Sequence, residues 1–197
     1  MGGITTGRDD PVNVVSRRPG MWGSARAPRI VIGVLAIRAD LVDEIVAHAR
    51  RDFPLEACGQ LVGPDPGEHP ERYVPMTNAD EIESDFAFSP AEDIRLERAL
   101  DAAGERRMLV VHSHTRVPRR PLTDSGLPEA YPSVKDIAQM EWTPDQHWLI
   151  VALSTADARP EIRSFHLTDG AVVEDELAVV ESYMFAHTGS DDVPDRS

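Results

Sequence analysis

Apolar and polar positions along this chain fall into blocks whose period switches, and the switches mark the elements. Ile30 to Ile37 is a continuous apolar run that reads as a buried first strand. From Asp40, which can cap a helix, to about Arg51, the residues Leu41, Val42, Ile45, Val46 and Ala49 form one apolar stripe, and Pro54 ends the element. Leu55 to Val62 predicts a second buried strand, Gly63 to Pro70 a turn-rich connection, and Tyr73 to Met76 the returning strand. Ser89-Pro-Ala-Glu92 has the form of a capping box with proline at the first helical position. A second helix is therefore expected from Pro90 to about Ala103, burying Ile94, Leu96 and Leu100 and stopped by Gly104.

Met108 to Val111 is again continuously apolar, so a buried strand delivers His112 and His114 at its end, followed by an irregular stretch from Thr115 to Pro132. Ser133 opens a third helix through about Glu141, and strands follow at Trp148 to Leu153 and Glu161 to Leu167. Asp169-Gly170 before Ala171 to Val173 is a hairpin signal. Strands and helices interleave, and the terminal hairpin points to a mixed β-sheet flanked by helices, an α/β fold in a single domain. Residues 1–27 carry Gly, Arg, Pro and Ser without apolar periodicity and are expected to be a disordered extension, with Met21 as an alternative start. Residues 185–197 are expected to be a disordered acidic tail, which leaves 28–184 as the folded domain.

Composition narrows the classes. A chain of 197 residues with 41% hydrophobic content can close one core. Its formal net charge of −14 argues against nucleic acid and against anionic membrane surfaces as partners. The run from Ile30 to Ile37 is too short to span a bilayer and has no cleavage pattern behind it. Cys58 is the one cysteine, so an intrachain disulfide and a Cys-rich zinc module are both excluded, and a reducing, cytoplasmic setting is expected.

The candidate chemistry begins with His112 and His114, which project from the same face of a strand while Ser113 points away. Two imidazoles and a carboxylate would leave the fourth position of a tetrahedral zinc ion open for water, the arrangement of a catalytic site. Two histidines on one strand also occur by chance. Asp136 could supply the carboxylate, yet with Ser133 as N-cap it sits at N3, where an acid satisfies helix amides and complements the dipole. Glu56 stands in an otherwise apolar stretch, so if buried it needs a partner, and at an edge it would simply be solvated. Facing a metal, it could take a proton from bound water and pass it to a leaving amine. Cys58 reads as a small core residue. His48, His69, His147, His166 and His187 show no metal spacing with one another and read as surface or core histidines; Trp142 and Trp148 read as core or groove wall.

Taken together, Glu56 in Glu-x-x-Gly-x-Leu-x-Gly, His112-Ser-His-Thr115 and Tyr131-Pro-Ser-x-x-Asp136 resemble the motif of the JAMM (MPN-plus) metalloproteases. Ile37 to Val42, Val46 to Arg50, Pro75 to Asn78, Glu129 to Ser133 and Arg163 to His166 with Asp169-Gly170 extend the likeness, which is to the actinobacterial CysO-cysteine peptidase branch. It covers roughly residues 34 to 184. The resemblance implies a JAMM/MPN fold related to the cytidine deaminases, and one zinc ion per chain held by His112, His114 and Asp136. It further implies Glu56 as acid and base, and Ser133 as a donor to the oxyanion. The implied substrate is a ubiquitin-like sulfur-carrier protein, cleaved after its C-terminal glycine to release cysteine. Two alternatives stand beside it: trimming of a sulfur carrier that serves another pathway such as secondary metabolism, and a catalytically silent MPN-type scaffold. A homodimer is compatible with either.

The chain departs from the family where Arg116 to Pro128 lengthens the gap between His114 and Ser133. Arg116, Arg119 and Arg120 could dock an acidic face of a protein substrate, or the insertion is a solvated, Pro-rich loop of little thermodynamic cost.

Overall fold

The computed structural model describes residues 34–80, 85–115 and 129–183. The expectations for the N-terminal extension, the start of the first strand, the insertion at 116–128, His187 and the acidic tail lie outside the described residues. In chain order the elements are β1 (Leu35–Arg38), α1 (Ala39–Asp52), β2 (Cys58–Pro64), β3 (Arg72–Met76), α2 (Pro90–Ala103) and β4 (Glu105–Thr115). They continue with α3 (Val134–Met140), β5 (His147–Leu153), β6 (Glu161–Thr168), β7 (Ala171–Glu174) and β8 (Leu177–Val180). Six strands form a sheet in the order β3-β2-β4-β5-β6-β7, while β1 and β8 pair in parallel as a separate ribbon. Within the larger sheet only β4 and β5 run parallel, and the chain passes through α3 between them. This is the mixed sheet with flanking helices that the sequence predicts.

Residues alternate strictly between the two faces of the central strands. Leu109, Val111, Leu149 and Val151 pack with Leu41, Ile45 and Ala49 of α1. On the other face Val110, Trp148, Ile150 and Phe165 pack with Leu96 and Leu100 of α2 and Met140 of α3. Both faces are covered, which is why β4 is buried from Met108 to Thr115 and reads in sequence as an unbroken apolar run up to its histidines.

Several local expectations are corrected. Arg38 rather than Asp40 is the N-cap of α1; Asp40 lies in the first turn, where its carboxylate accepts from Arg38 and from the Leu41 amide. Ser89 makes no side-chain cap bond, and the Glu92 carboxylate accepts from the Thr77 amide and hydroxyl, each at 2.8 Å, tying α2 to the end of β3. Ile94 is 54% exposed, since Leu96 and Leu100 define the buried face and a residue two places earlier falls on the far side of the helix. Trp142 is 86% exposed and belongs to no core, whereas Trp148 is buried. Gly104 ends α2 in the left-handed region (φ 66°), and Asp169 and Gly170 (φ 51° and 77°) make the tight turn between β6 and β7. No helix among the described residues is long and apolar enough to cross a membrane.

Candidate metal centre

The centre is built where the C-terminal end of β4 meets the start of α3. The antiparallel register pairs Cys58 with His112, and Ala57 and Ser113 are joined by two bonds: the Ser113 amide donates to the Ala57 carbonyl and the Ala57 amide to Ser113 Oγ, both 2.8 Å. Continued one step, that register sets Glu56 opposite His114 on the face shared by Cys58 and His112. Glu56 is not inside a strand, as the sequence predicts, but two residues ahead of β2, and it is 3% exposed. Asn78 Nδ2 donates to its carbonyl and fixes this segment from the β3 side.

His112, His114 and Asp136 are all buried and converge. The two Nε2 atoms lie 3.0 Å apart, His112 Nε2 lies 3.5 Å from Asp136 Oδ1, and His114 Nε2 lies 3.3 Å from Asp136 Oδ2. Zinc bonds of 2.0–2.1 Å in a tetrahedron put donor atoms about 3.3 Å apart, so this triangle fits the ion with changes of only a few tenths of an ångström.

The tautomer makes the case stronger. His114 Nδ1 sits 2.9 Å from the Glu129 carbonyl, which can only accept, so Nδ1 carries a proton and Nε2 is the nitrogen turned to Asp136 and His112. Burial pushes the His112 imidazole down, outweighing the pull of Asp136, so it offers a lone pair. Burial also acts downward on His114, but the Asp136 hydrogen bond and the charges of Glu56 and Asp136 prevail and its net shift is upward. Asp136 is held well below the usual carboxylate range: burial acts upward, and the two imidazoles outweigh it. Two imidazole nitrogens and a carboxylate oxygen make a donor set that suits zinc.

Asp136 serves the helix as well. Its Oδ2 accepts from the Ser133 amide at 2.6 Å and its own amide donates to Ser133 Oγ at 3.2 Å, a complete capping box. The capping role anticipated for Asp136 is met, and the same carboxylate faces the two histidines. Ser133 caps through its side chain as an acceptor, which leaves its hydroxyl hydrogen available to donate.

Three supports have no signal in the sequence motif. Phe86 stacks on His112 (centroids 4.5 Å, 25°), and Trp148 meets the same ring edge-on at 5.7 Å. They hold a ring whose buried Nδ1 has no hydrogen-bond partner among the described residues. Lys135 forms ion pairs with Asp80 and Asp85 and so anchors the segment leading to Phe86 onto α3. A cavity of about 480 Å³ opens beside Glu56, lined among others by His48, Arg51, Thr77, Asn78 and Glu92. Cys58 is fully buried, its thiol pushed up to about 12 by that burial, so it is a core residue and no nucleophile. The reading of His147 and His166 as unrelated is corrected: strand register brings both onto Asp175.

This mixed-sheet α/β domain presents a His-x-His strand end to an aspartate in the first turn of a helix, three donors placed so that they can hold a metal ion. The family described as prokaryotic homologs of the JAB domain matches residues 38–122. The CysO-cysteine peptidases of Mycobacterium tuberculosis and Mycobacterium bovis are 44% identical to this chain over 151 residues, 76% of this chain and 94% of theirs. The solution structure of a protein from Desulfitobacterium hafniense aligns with a TM-score of 0.59 at 27% identity, covering 78% of this chain and 99% of that one. The chain belongs to the JAB (MPN) family, and it is a peptidase.

Proposed function

We propose that this chain is a zinc-dependent peptidase that hydrolyses the amide bond between the C-terminal glycine of a ubiquitin-like sulfur-carrier protein and cysteine. The observation that carries the reading is the convergence of His112 Nε2, His114 Nε2 and Asp136, with His114 Nδ1 held by the Glu129 carbonyl. The sulfur-carrier substrate is supported by the name of the mycobacterial relatives. The cytoplasm, the reducing setting expected for a chain with one cysteine, is where this reading places the protein.

Bound at this centre, zinc would supply a Lewis acid that acidifies a water molecule and polarises the scissile carbonyl. His112 and His114 contribute neutral nitrogens, and Asp136 contributes the balancing charge. Glu56, whose charge reaches His114, takes the attacking water's proton and returns it to the departing amine of cysteine. The Ser133 hydroxyl donates to the carbonyl oxygen as negative charge builds there. Water is consumed, the carrier is left with a free C-terminal carboxylate, and cysteine leaves with its amine.

The test is hydrolysis of a carrier–cysteine conjugate by zinc-loaded protein. Glu56→Gln should keep its zinc and lose about 10²- to 10⁴-fold in turnover, the usual contribution of a positioned acid and base. Near-normal turnover by that variant would refute the role of Glu56. Equal cleavage of conjugates ending in other residues would move the reading to a carrier of another pathway, and no cleavage of any by the wild-type protein would leave a scaffold.

A further inference from the structure

A second group of metal-ligating side chains lies outside this centre. Trp148 of β5 pairs with Phe165 of β6, so their neighbours His147 and His166 face each other across the two strands, on the opposite side of the sheet from Trp148 and Phe165. Between them enters Asp175, from the link between β7 and β8. His147 Nδ1 lies 3.0 and 2.9 Å from the two Asp175 oxygens, and His166 Nδ1 lies 2.7 Å from Oδ1. Ser164 Oγ donates to Oδ2 at 2.7 Å, while the Asp175 amide donates to the Ser164 carbonyl at 2.8 Å and fixes the backbone.

We propose that His147, His166 and Asp175 bind a second divalent transition metal of the zinc class, in a structural role. The Asp175 side chain is 4% exposed, and its ion-pair partners among the described residues are these two imidazoles, with no lysine or arginine. A carboxylate buried to that extent calls for a positive charge beside it. The three donor atoms lie within 4.8 Å of one another, and two imidazoles with a carboxylate suit zinc and its imidazole-binding neighbours. The side chains of His147 and His166 are 38% and 25% exposed, which gives an ion a way in.

The position argues for structure rather than chemistry. His147 pairs with Leu109, five residues before His114 on β4, so the second group sits about 17 Å away along the strand direction at 3.3 Å per residue. An ion there would tie β5 and β6 to the link that carries the chain into β8, and β8 in turn holds β1. The inference does not rest on the function proposed for the first centre.

The experiment is a titration of metal-stripped chain with zinc alone, followed by calorimetry and total-metal analysis. Two equivalents at stoichiometric zinc are expected for wild type, with one for His147→Asn/His166→Asn and one for His112→Asn/His114→Asn. At zinc well above its dissociation constant the second equivalent should raise Tm by about 5–10 °C. Any result in which the His147/His166 double substitution binds as much zinc as wild type, one equivalent or two, would overturn the proposal; a cluster held by protons alone gives one equivalent in both. Failure of the first centre is distinguishable, because His112→Asn/His114→Asn would then bind as much zinc as wild type. Histidine ring resonances of the wild-type chain provide a readout that needs no variant. Those of His147 and His166 should move with the second equivalent, and their standing still overturns the proposal.

Discussion

Two clusters in this molecule have the same formula, two histidines and one aspartate, and are built in opposite ways. In the first, the histidines sit two apart on one strand and the acid comes from a helix cap; in the second, the histidines come from neighbouring strands and the acid from a link. In the first, a carbonyl claims one ring nitrogen and turns the other toward the second histidine and the acid in a buried spot. In the second, both rings present Nδ1 to the acid at hydrogen-bond length from a half-exposed position, so in the metal-free chain protons occupy the places that an ion would take. The difference teaches that composition says little about a site. What matters is which ring nitrogen is committed elsewhere.

The sharpest way to break the comparison is to remove each acid. Asp136→Ala should abolish detectable hydrolysis of the conjugate and, by removing the reciprocal half of the α3 capping box, lower Tm by a few degrees, since a lost hydrogen bond of this kind costs about 1 kcal/mol. Asp175→Ala should leave turnover within a factor of two and lower Tm more, because three donors lose their common acceptor at about 1–3 kcal/mol for a group left unsatisfied. Equal losses of turnover in both would show that the two clusters are one functional unit.

Ser133 separates the chemical from the structural role within the first centre. Ser133→Ala and Ser133→Gly should both reduce kcat by about 10²- to 10³-fold, the cost of one oxyanion donor. Glycine is a tolerable N-cap and alanine is not, so the glycine variant should retain more of the wild-type Tm. A kcat that recovered along with Tm would reduce Ser133 to a cap.

A pH scan sharpens the second cluster. Asp175 is held below the usual carboxylate range: burial acts upward, and hydrogen bonds from His147 and Ser164 outweigh it. A depressed carboxyl contributes stability that is present above its unfolded pKa, about 3.9, and is lost as pH falls through the folded value. The Tm difference between wild type and Asp175→Asn should therefore hold above about pH 4 and shrink below it. A difference that is flat across that window would contradict the assignment. The smallest effect is expected from Phe86→Leu, which removes the ring stacked on His112: zinc affinity at the first centre should weaken several-fold and the second should not change.

Much of this was legible in the sequence. Long, unbroken apolar runs such as Met108 to Val111 announce a strand covered on both faces, and the helix stripes place α1 and α2 within a residue or two. The first centre was legible because its parts are local: His112 and His114 share a strand, and Ser133 and Asp136 share a helix turn. The second was not, because His147, His166 and Asp175 meet only through strand register, which spacing along the chain does not carry. Ile94 and Trp142 were misjudged for a related reason, since hydrophobicity says that a residue can be buried but not that a neighbour stands over it. The four-residue β8 was not anticipated, as its partner β1 lies at the other end of the folded part.

The order of the six-stranded sheet leaves β3 as an outer strand, with no strand beyond it among the described residues. Outer strands are where separate molecules can join edge to edge and aggregate. Pro75 has no amide hydrogen to offer, and Arg72 places a charge on the same strand, so β3 is a poor template for a second copy. Arg72 and Pro75, both exposed, thus oppose edge-to-edge joining at that border while adding nothing to the core.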